Sequence, residues 1–216
     1  MIDLHTHTLF SDGELLPSEL VRRAEVKGYT AIALTDHVDS SNIDFVIPRL
    51  VGVCKNLNSH WKIRSIPGCE ITHAPIEEIK GLVKRARKLG AKIVVVHGET
   101  VSEPVIPGTN FCAIDAGCDI LAHPGLIAKE DIKFAKFRGV CLEITTRPSH
   151  LKTNKRLVKL ALRIGAKLVL NTDGHRGEDL VSDKTASTML KKLGLSALQA
   201  RKVFDNSRIL AKKACS

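Results

Sequence analysis

The sequence predicts an α/β barrel of parallel strands, and three features of the chain support this prediction. Apolar, strand-like runs alternate with amphipathic helical segments, with short connections between them. Such alternation implies a parallel sheet whose strands are joined by right-handed crossovers. Metal-binding residue types follow the ends of many strands, whereas an open doubly wound sheet would concentrate its site at one switch point. A closed or nearly closed barrel is therefore the predicted architecture.

The predicted elements alternate along the whole chain. Seven strands are expected, one fewer than in the usual eight-stranded barrel, and they span residues 1–5, 30–35, 61–70, 92–96, 120–122, 139–144 and 167–171. Helices are expected over 17–27, 75–89, 109–116, 129–137, 153–164, 183–193 and 196–212. A further helical segment over 43–57 is expected to be interrupted near Pro48.

Length and composition indicate a single domain spanning residues 1–216. A chain of this size buries a sizeable core without disulfides. The six cysteines form no CxxC pair and several lie in apolar patterns, so reduced, buried thiols are expected. Because no apolar run is long enough to cross a bilayer and the chain opens on a strand rather than a signal peptide, we expect a soluble, cytoplasmic protein.

The formal net charge of +10 allows two interpretations. One is that the protein binds nucleic acid. The other, which the spacing favours, is that basic side chains cover the solvated faces of helices. Five of them recur at helical spacing opposite an apolar face, namely Lys152, Lys155, Arg156, Lys159 and Arg163. In either case a positive field favours phosphorylated substrates without identifying one.

Histidines and carboxylates follow the predicted strands one after another. In DLHTHT, His5 and His7 are two residues apart and point to the same side of a strand. Later apolar runs end at His37, Glu70, His97, His123, and the pair Asp173 and His175. Chance placement would scatter the nine histidines of the chain, so their shared position predicts a metal centre. Asp12, in the SDG turn just after HTHT, is expected to lie over this cluster and to join it.

Imidazole and carboxylate ligands together suit zinc, manganese or iron, and the sequence does not separate these ions. One carboxylate such as Glu70 can bridge two ions ~3.5–4 Å apart, and a hydroxide between them is a strong nucleophile at neutral pH. Asp36 points away from its neighbour and is expected to support the site, and Asp3 to orient a ligand imidazole. His73 and Glu99 flank the site and are weaker candidates.

Together these motifs resemble those of the PHP family, the polymerase and histidinol phosphatase superfamily. The matching stretches are DLHTHT with SDG, TDH, the Glu of GCE, the His of VVVHGE, AHPG and TDGH. They run in order from residue 3 to residue 175. The resemblance implies a distorted (βα)7 barrel, which agrees with the strand count, and two or three divalent ions.

The resemblance also implies how the ligands are distributed. A first ion would be held by His5, His7, Glu70 and Asp173, a second by Glu70, His97 and His123, and a third by Asp12, His37 and His175. Some family members have a histidine near the position of Asp12, and a carboxylate is a chemically adequate substitute. The family grips phosphate with basic side chains, and Arg147 and Arg176 are the two arginines nearest to strand ends.

The expected function is that of a metal-dependent phosphoesterase acting on a small phosphate monoester, either histidinol-phosphate-like or a nucleotide. A metal-bridging hydroxide would attack phosphorus while the ions and Arg147 or Arg176 neutralise the oxygens, and Asp12 or His175 would protonate the leaving group. Three further functions stay open: a phosphodiesterase or nuclease, a non-catalytic metal-binding module, and an amidohydrolase. Amidohydrolases typically place a bridging lysine where this chain has Glu70, which argues against the last.

Overall fold

The structure is a computed structural model and describes residues 1–215. Its strands are β1 (Ile2–Asp3), β2 (Ala31–Leu34), β3 (His37–Val38), β4 (Arg64–Ile71), β5 (Ile93–His97), β6 (Ile120–Ala122), β7 (Cys141–Thr145) and β8 (Leu168–Asn171). Its α-helices are α1 (Pro17–Val26), α2 (Ile43–His60), α3 (Ile76–Lys88), α4 (Thr109–Ala116), α5 (Lys129–Arg138), α6 (Asn154–Ile164), α7 (Asp183–Lys192) and α8 (Ala197–Cys215). A 3₁₀ turn, Pro148–Thr153, precedes α6.

All paired strands are parallel, in the order β1-β2-β4-β5-β6-β7-β8. The short strand β3 pairs with β4 beyond the end of β2, so β2 and β3 share one position in the sheet. This arrangement gives the seven strand positions that the sequence predicts. A single bridge between Thr6 and Gly174 joins the two edges of the sheet, which makes the barrel nearly closed.

Side-chain alternation along the strands separates an inner core from an outer core. The inner core contains Leu4, Ala31, Ala33, Ile66, Ile93, Val95, Ile120, Ala122, Cys141 and Val169. The intervening residues, such as Leu142 and Ile144, pack in the outer core beneath the helices. Ala211 and Ala214 of α8 also belong to the inner core, and they lie near the segments that precede β5 and β6. Helix α8 therefore closes the barrel at the amino-terminal ends of the strands, and the barrel is open at their carboxyl ends.

Two predicted features differ in the structure. The predicted interruption near Pro48 is wrong, because α2 runs continuously from Ile43 to His60. Pro48 lies in the second turn, where it removes only the donor to the Asp44 carbonyl, and a buried apolar face holds the helix in place. The third predicted strand begins at Arg64 rather than at residue 61. The 3₁₀ turn after β7 was not predicted.

The cysteines are free thiols, as expected from the sequence. Four of them, Cys54, Cys69, Cys118 and Cys141, are buried. Burial raises the pKa of Cys54 and of Cys141 to about 12, which leaves both thiols protonated at neutral pH. Across residues 1–215, no helix combines the length and apolar character that crossing a membrane requires.

A truncation inside the barrel tests the inner core. Ile66 is 1% exposed, and Ile66→Ala is expected to lower the free energy of unfolding by about 2–5 kcal/mol because the strands around it cannot collapse. The matched control is Ile209→Ala on α8, where the side chain is 63% exposed and the expected change is within about 0.5 kcal/mol. Urea denaturation followed by circular dichroism measures both; equal effects would contradict the assignment of Ile66 to the core.

Candidate metal centre

The nine residues predicted as metal ligands come together at the carboxyl end of the barrel. Their ligand atoms form groups within which all atoms lie within 4.8 Å of one another. The groups are His5, His7 and Asp173; Glu70, His97 and His123; and His7, Asp12, His37 and His175. These sets differ from the distribution that the family resemblance implies in two respects: Glu70 is not in the group of His5, His7 and Asp173, and His7 belongs to two groups.

Glu70, near the end of β4, lies at the centre of the arrangement and is fully buried. Its Oε1 is 3.4 Å from His5 Nε2, 3.4 Å from His97 Nδ1 and 3.6 Å from His123 Nε2. Its Oε2 is 2.7 Å from His37 Nδ1. Two ligands of one tetrahedral zinc ion are roughly 3.4 Å apart, given bonds of ~2.0–2.1 Å. Glu70 is therefore close enough to these histidines to share an ion with them.

Several buried polar atoms of these groups have no hydrogen-bond partner among the described residues. They are His5 Nε2, His7 Nδ1 and Nε2, Glu70 Oε1, His97 Nδ1 and Nε2, and His123 Nδ1. A buried polar atom without a partner costs about 1–3 kcal/mol, so such a concentration is unfavourable unless a ligand binds it. Nitrogen and carboxylate oxygen are the donors that zinc, manganese and iron accept. The residues present therefore fit a centre for divalent ions.

The electrostatics of the centre favour added positive charge. Burial alone would lower the pKa of His5, but the carboxylates of Glu143 and Glu70 outweigh it and raise this pKa well above its usual value. Against the same effect of burial, Glu70 and Asp12 raise the pKa of His37 to about 10. Burial would raise the pKa of Glu70, yet His5 and His37 hold it well below its usual range. Divalent cations would neutralise the negative charge of the same carboxylates that the protonated imidazoles neutralise in this structure.

Backbone strain is concentrated around the centre. Three non-glycine residues of the described chain have left-handed φ angles: His73 at 51°, His123 at 25° and Asp173 at 51°. His123 directly follows β6, and Asp173 lies two residues beyond β8. Non-glycine residues adopt such conformations at a cost and do so mainly where the surrounding structure fixes them, as at functional sites. At His123 and Asp173 the strain marks points where the chain turns to present a predicted ligand.

Asp12 lies beside the group that contains His37 and His175. Its Oδ1 is 3.1 Å from His175 Nε2 and 3.4 Å from His37 Nε2. Partial burial would raise the pKa of Asp12, but the two imidazoles outweigh it and hold this pKa far below its usual range. Asp12 is therefore an ionised carboxylate, and its side chain is still 56% exposed toward the cavity.

The SDG turn that carries Asp12 is fixed against the first strand. Asp36 accepts hydrogen bonds from the backbone amide of Thr8 at 2.8 Å and from the hydroxyl of Ser11 at 2.9 Å. This contact agrees with the supporting role expected for Asp36. Gly13 permits the close approach of the turn, since a Cβ there would lie 2.4 Å from the His7 carbonyl oxygen.

Glu143 of β7 is a part of the site that sequence reasoning missed. His5 Nδ1 donates to Glu143 Oε2 at 2.8 Å, which leaves His5 Nε2 facing Glu70. A carboxylate in this position orients an imidazole and fixes its tautomer. The signal was present in the sequence: Glu143 is two residues from Cys141, which faces the barrel interior, so alternation directs this charge inward.

Two other residues have roles that differ from the expected ones. Among the described residues, Asp3 has no imidazole nitrogen as a hydrogen-bond partner; it accepts from the Thr172 hydroxyl at 2.6 Å and so ties β1 to the chain after β8. Glu99 accepts from backbone amides at the start of α4 instead of facing the centre. His73 flanks the cluster as expected: its Nε2 lies 3.2 Å from Glu103 Oε2, and these two residues form with His97 a further group that could hold an ion.

The two predicted phosphate-binding arginines lie in different places. Arg147 lines a cavity of about 190 Å³ above the ligands, with Nη1 2.7 Å from His175 Nδ1 and donating to the Asp173 carbonyl at 3.1 Å. Arg176 is 62% exposed and pairs with Glu14 at 2.6 Å. It is not among the described residues that line the cavity. The structure thus brings Arg147, but not Arg176, to the centre.

Comparison with known proteins agrees with this geometry. The model of the PHP domain family matches residues 3–100. An uncharacterized protein of Methanocaldococcus jannaschii is 47% identical over 207 residues, which cover 95% of this chain and 93% of that protein. The chain belongs to the PHP domain family. The DNA polymerase/3′-5′ exonuclease PolX of Bacillus subtilis is 26% identical over 88% of this chain, which spans only 37% of PolX.

Solved structures of low sequence identity share the fold of this PHP chain. A chain in the cryo-EM structure of archaeal ribonuclease P with mature tRNA matches with a TM-score of 0.76 and 16% identity, over 99% of this chain and 91% of that one. The histidinol phosphate phosphatase of Lactococcus lactis, crystallised with zinc, L-histidinol and phosphate, matches with a TM-score of 0.62 and 18% identity. That match covers 99% of this chain and 93% of the phosphatase.

Metal uptake at this centre is expected to release protons. Against burial, nearby carboxylates raise the pKa of His97 to about 9 and that of His37 to about 10, so both rings carry a proton at neutral pH that a bound ion must displace. The apparent affinity for zinc is therefore expected to rise between about pH 6 and about pH 8. Titration calorimetry in buffers of different ionisation enthalpy counts the protons; a pH-independent affinity without proton release would contradict this prediction.

Proposed function

We propose that this PHP chain, over residues 1–216, forms one domain that acts as a metal-dependent phosphoesterase on a small phosphate monoester. The observation that carries the proposal is the buried convergence of Glu70 with His5, His97 and His123 beneath a cavity that Arg147 lines. The zinc and phosphate bound by the histidinol phosphate phosphatase of similar fold support it.

The residues of the centre would divide two or three zinc, manganese or iron ions among them. The first would be held by His5, His7, Glu70 and Asp173, the second by Glu70, His97 and His123, and the third by Asp12, His37 and His175. Bound divalent ions supply Lewis acidity toward phosphoryl oxygens and a water of lowered pKa. Glu70 would hold the first two ions at a fixed separation, because its carboxylate faces both ligand groups.

Arg147 is the residue best placed to bind a phosphoryl group. Its guanidinium is tethered to the Asp173 carbonyl and to His175, so it enters the cavity in one orientation. A guanidinium presents parallel N–H donors that match phosphate oxygens and neutralises charge on them. Arg176, paired with Glu14 outside the cavity, has less support for the same role.

Asp12 and His175 are the candidates for handling the proton of the leaving alcohol. Asp12 Oδ1 and His175 Nε2 are 3.1 Å apart and both line the cavity. The low pKa of Asp12 argues against that residue as the proton donor and leaves His175 as the better candidate, if an ion does not fully occupy it. The cavity of about 190 Å³ is smaller than the roughly 300–1,000 Å³ typical of pockets that enclose a drug-sized ligand. It therefore suits a phosphate group, with the remainder of the substrate extending outward.

A phosphodiesterase or nuclease is the second candidate function. The similarity to an exonuclease-containing polymerase and the net charge of +10 favour it over a non-catalytic module or an amidohydrolase. A non-catalytic module has less support, because all nine expected positions carry ligand-type side chains that converge. An amidohydrolase also has less support, because a glutamate stands at the bridging position.

Removing ligands tests the proposed activity. His7→Ala and Glu70→Ala are each expected to reduce kcat for p-nitrophenyl phosphate hydrolysis by about 100-fold or more, since both remove groups that hold the catalytic ions. His60→Ala, at an exposed histidine that ends α2, is the matched control and should retain activity. Circular dichroism checks that each variant is folded. Full activity in both ligand variants would refute the proposal.

Substrate preference separates the two candidate functions. With manganese or zinc present, kcat/KM for p-nitrophenyl phosphate is expected to exceed that for bis(p-nitrophenyl) phosphate, because the small cavity encloses one terminal phosphate. A higher value for the diester would instead favour the nuclease. Metal binding without hydrolysis of any phosphate monoester or diester in a broad panel would favour the non-catalytic module.

A further inference from the structure

The loop between β5 and α4, residues 98–108, places a carboxylate over the second ligand group. Glu103 Oε2 lies 3.0 Å from His97 Nε2 and 3.2 Å from His73 Nε2, and its Oε1 lies 3.5 Å from His150 Nε2. The Glu103 side chain is 36% exposed and lines the cavity. It is therefore in contact both with a predicted metal ligand and with the space where a substrate would enter.

The two nitrogens of His97 face different carboxylates. Nδ1 lies 3.4 Å from Glu70 Oε1, and the ring packs edge-on against His123 with centroids 4.4 Å apart. Nε2 faces Glu103. An imidazole that binds an ion through one nitrogen can donate its other N–H to a carboxylate, which fixes the tautomer and makes the ring a stronger ligand.

His5 has a similar arrangement with its nitrogens exchanged, but its carboxylate contact is a hydrogen bond, whereas that of His97 Nε2 is an ion-pair contact. Its Nε2 lies 3.4 Å from Glu70 Oε1, and its Nδ1 donates to Glu143 at 2.8 Å. Both rings therefore direct one nitrogen to Glu70 and the other to a separate carboxylate. The difference is accessibility, since Glu143 is fully buried and Glu103 is about one-third exposed.

The loop is anchored by three residues that precede Glu103 in the chain. Glu99 accepts hydrogen bonds from the backbone amides of Gly108 and Asn110 at the start of α4. The hydroxyls of Thr100 and Ser102 lie 2.7 Å and 2.8 Å from His150 Nδ1 in the 3₁₀ turn. These contacts hold the loop against the barrel mouth, so the approach of Glu103 to His97 is built into the fold.

We infer that Glu103 is the positioning residue for His97 and sets the ion affinity of the group formed by Glu70, His97 and His123. Glu143 has the corresponding role for His5 and the first ion. This inference rests on the proposed metal centre. Because Glu103 lies at the cavity surface and Glu143 does not, the binding of the second ion, unlike that of the first, depends on a positioning residue that a substrate can touch.

Zinc titration of the full-length protein against a chromophoric chelator tests this role. Glu103→Ala is expected to lower the binding affinity for one zinc ion by about 10–100-fold and to leave the affinity for the most tightly bound ion unchanged. Glu103→Gln keeps a carbonyl that accepts from His97 and should recover part of the loss. Glu14→Ala removes an exposed glutamate outside the cavity and is the matched control. The visible spectrum of cobalt(II) bound to the protein should change in Glu103→Ala and not in the control.

Two further variants separate the possible outcomes. His123→Ala should lose the second ion; unchanged zinc content in this variant would refute the metal centre itself. If His123→Ala loses an ion while Glu103→Ala binds zinc like the parent protein, only the positioning role is wrong. His73→Ala should bind zinc normally. Loss of a whole ion in both His73→Ala and Glu103→Ala would overturn the inference, because those residues would then hold an outer ion together with His97.

Discussion

A buried carboxylate at the mouth of the barrel is the constraint on which the rest of this structure depends. Glu70 is fully buried, and imidazoles of His5, His37, His97 and His123 surround it. An ionised carboxylate in a protein interior costs several kcal/mol unless positive charge is paired with it. Protons on the imidazoles supply that charge only by occupying ligand nitrogens, whereas divalent ions satisfy the carboxylate and the nitrogens together. Folding of the barrel mouth and ion binding are therefore expected to be coupled.

The parallel barrel is what allows so many ligands to meet. Each strand carries its apolar residues into the inner core and ends near the same opening, so neighbouring strands contribute one or two polar side chains to one point. Helix α8 closes the opposite end with Ala211 and Ala214 and leaves a single open mouth for the ligands. Around this mouth Glu143, beside His5, is fully buried, whereas Glu103, beside His97, lines the cavity.

The strand positions and the convergence of the candidate ligands could be predicted because both follow from short-range rules. Alternation and the ends of apolar runs identify Glu70 and His97 without knowledge of their neighbours. The same reasoning could have identified Glu143, because alternation along an apolar strand directs its charged side chain into the barrel. Glu103 was not, because it lies in a loop without periodicity and meets His97 only through tertiary contacts. The pairing of Arg176 with Glu14 and the continuity of α2 through Pro48 likewise depend on contacts between distant segments.

The most direct test of the central claim is anomalous diffraction from crystals grown with zinc, recorded on both sides of the zinc absorption edge. The arrangement of side chains predicts one anomalous peak between Glu70, His5, His7 and Asp173 and a second between Glu70, His97 and His123, each about 2.0–2.2 Å from its ligand atoms. A peak near Asp12, His37 and His175 would add the third ion. An absence of any peak beside either oxygen of Glu70, with the side chains in these positions, would contradict the assignment of this centre to metal ions.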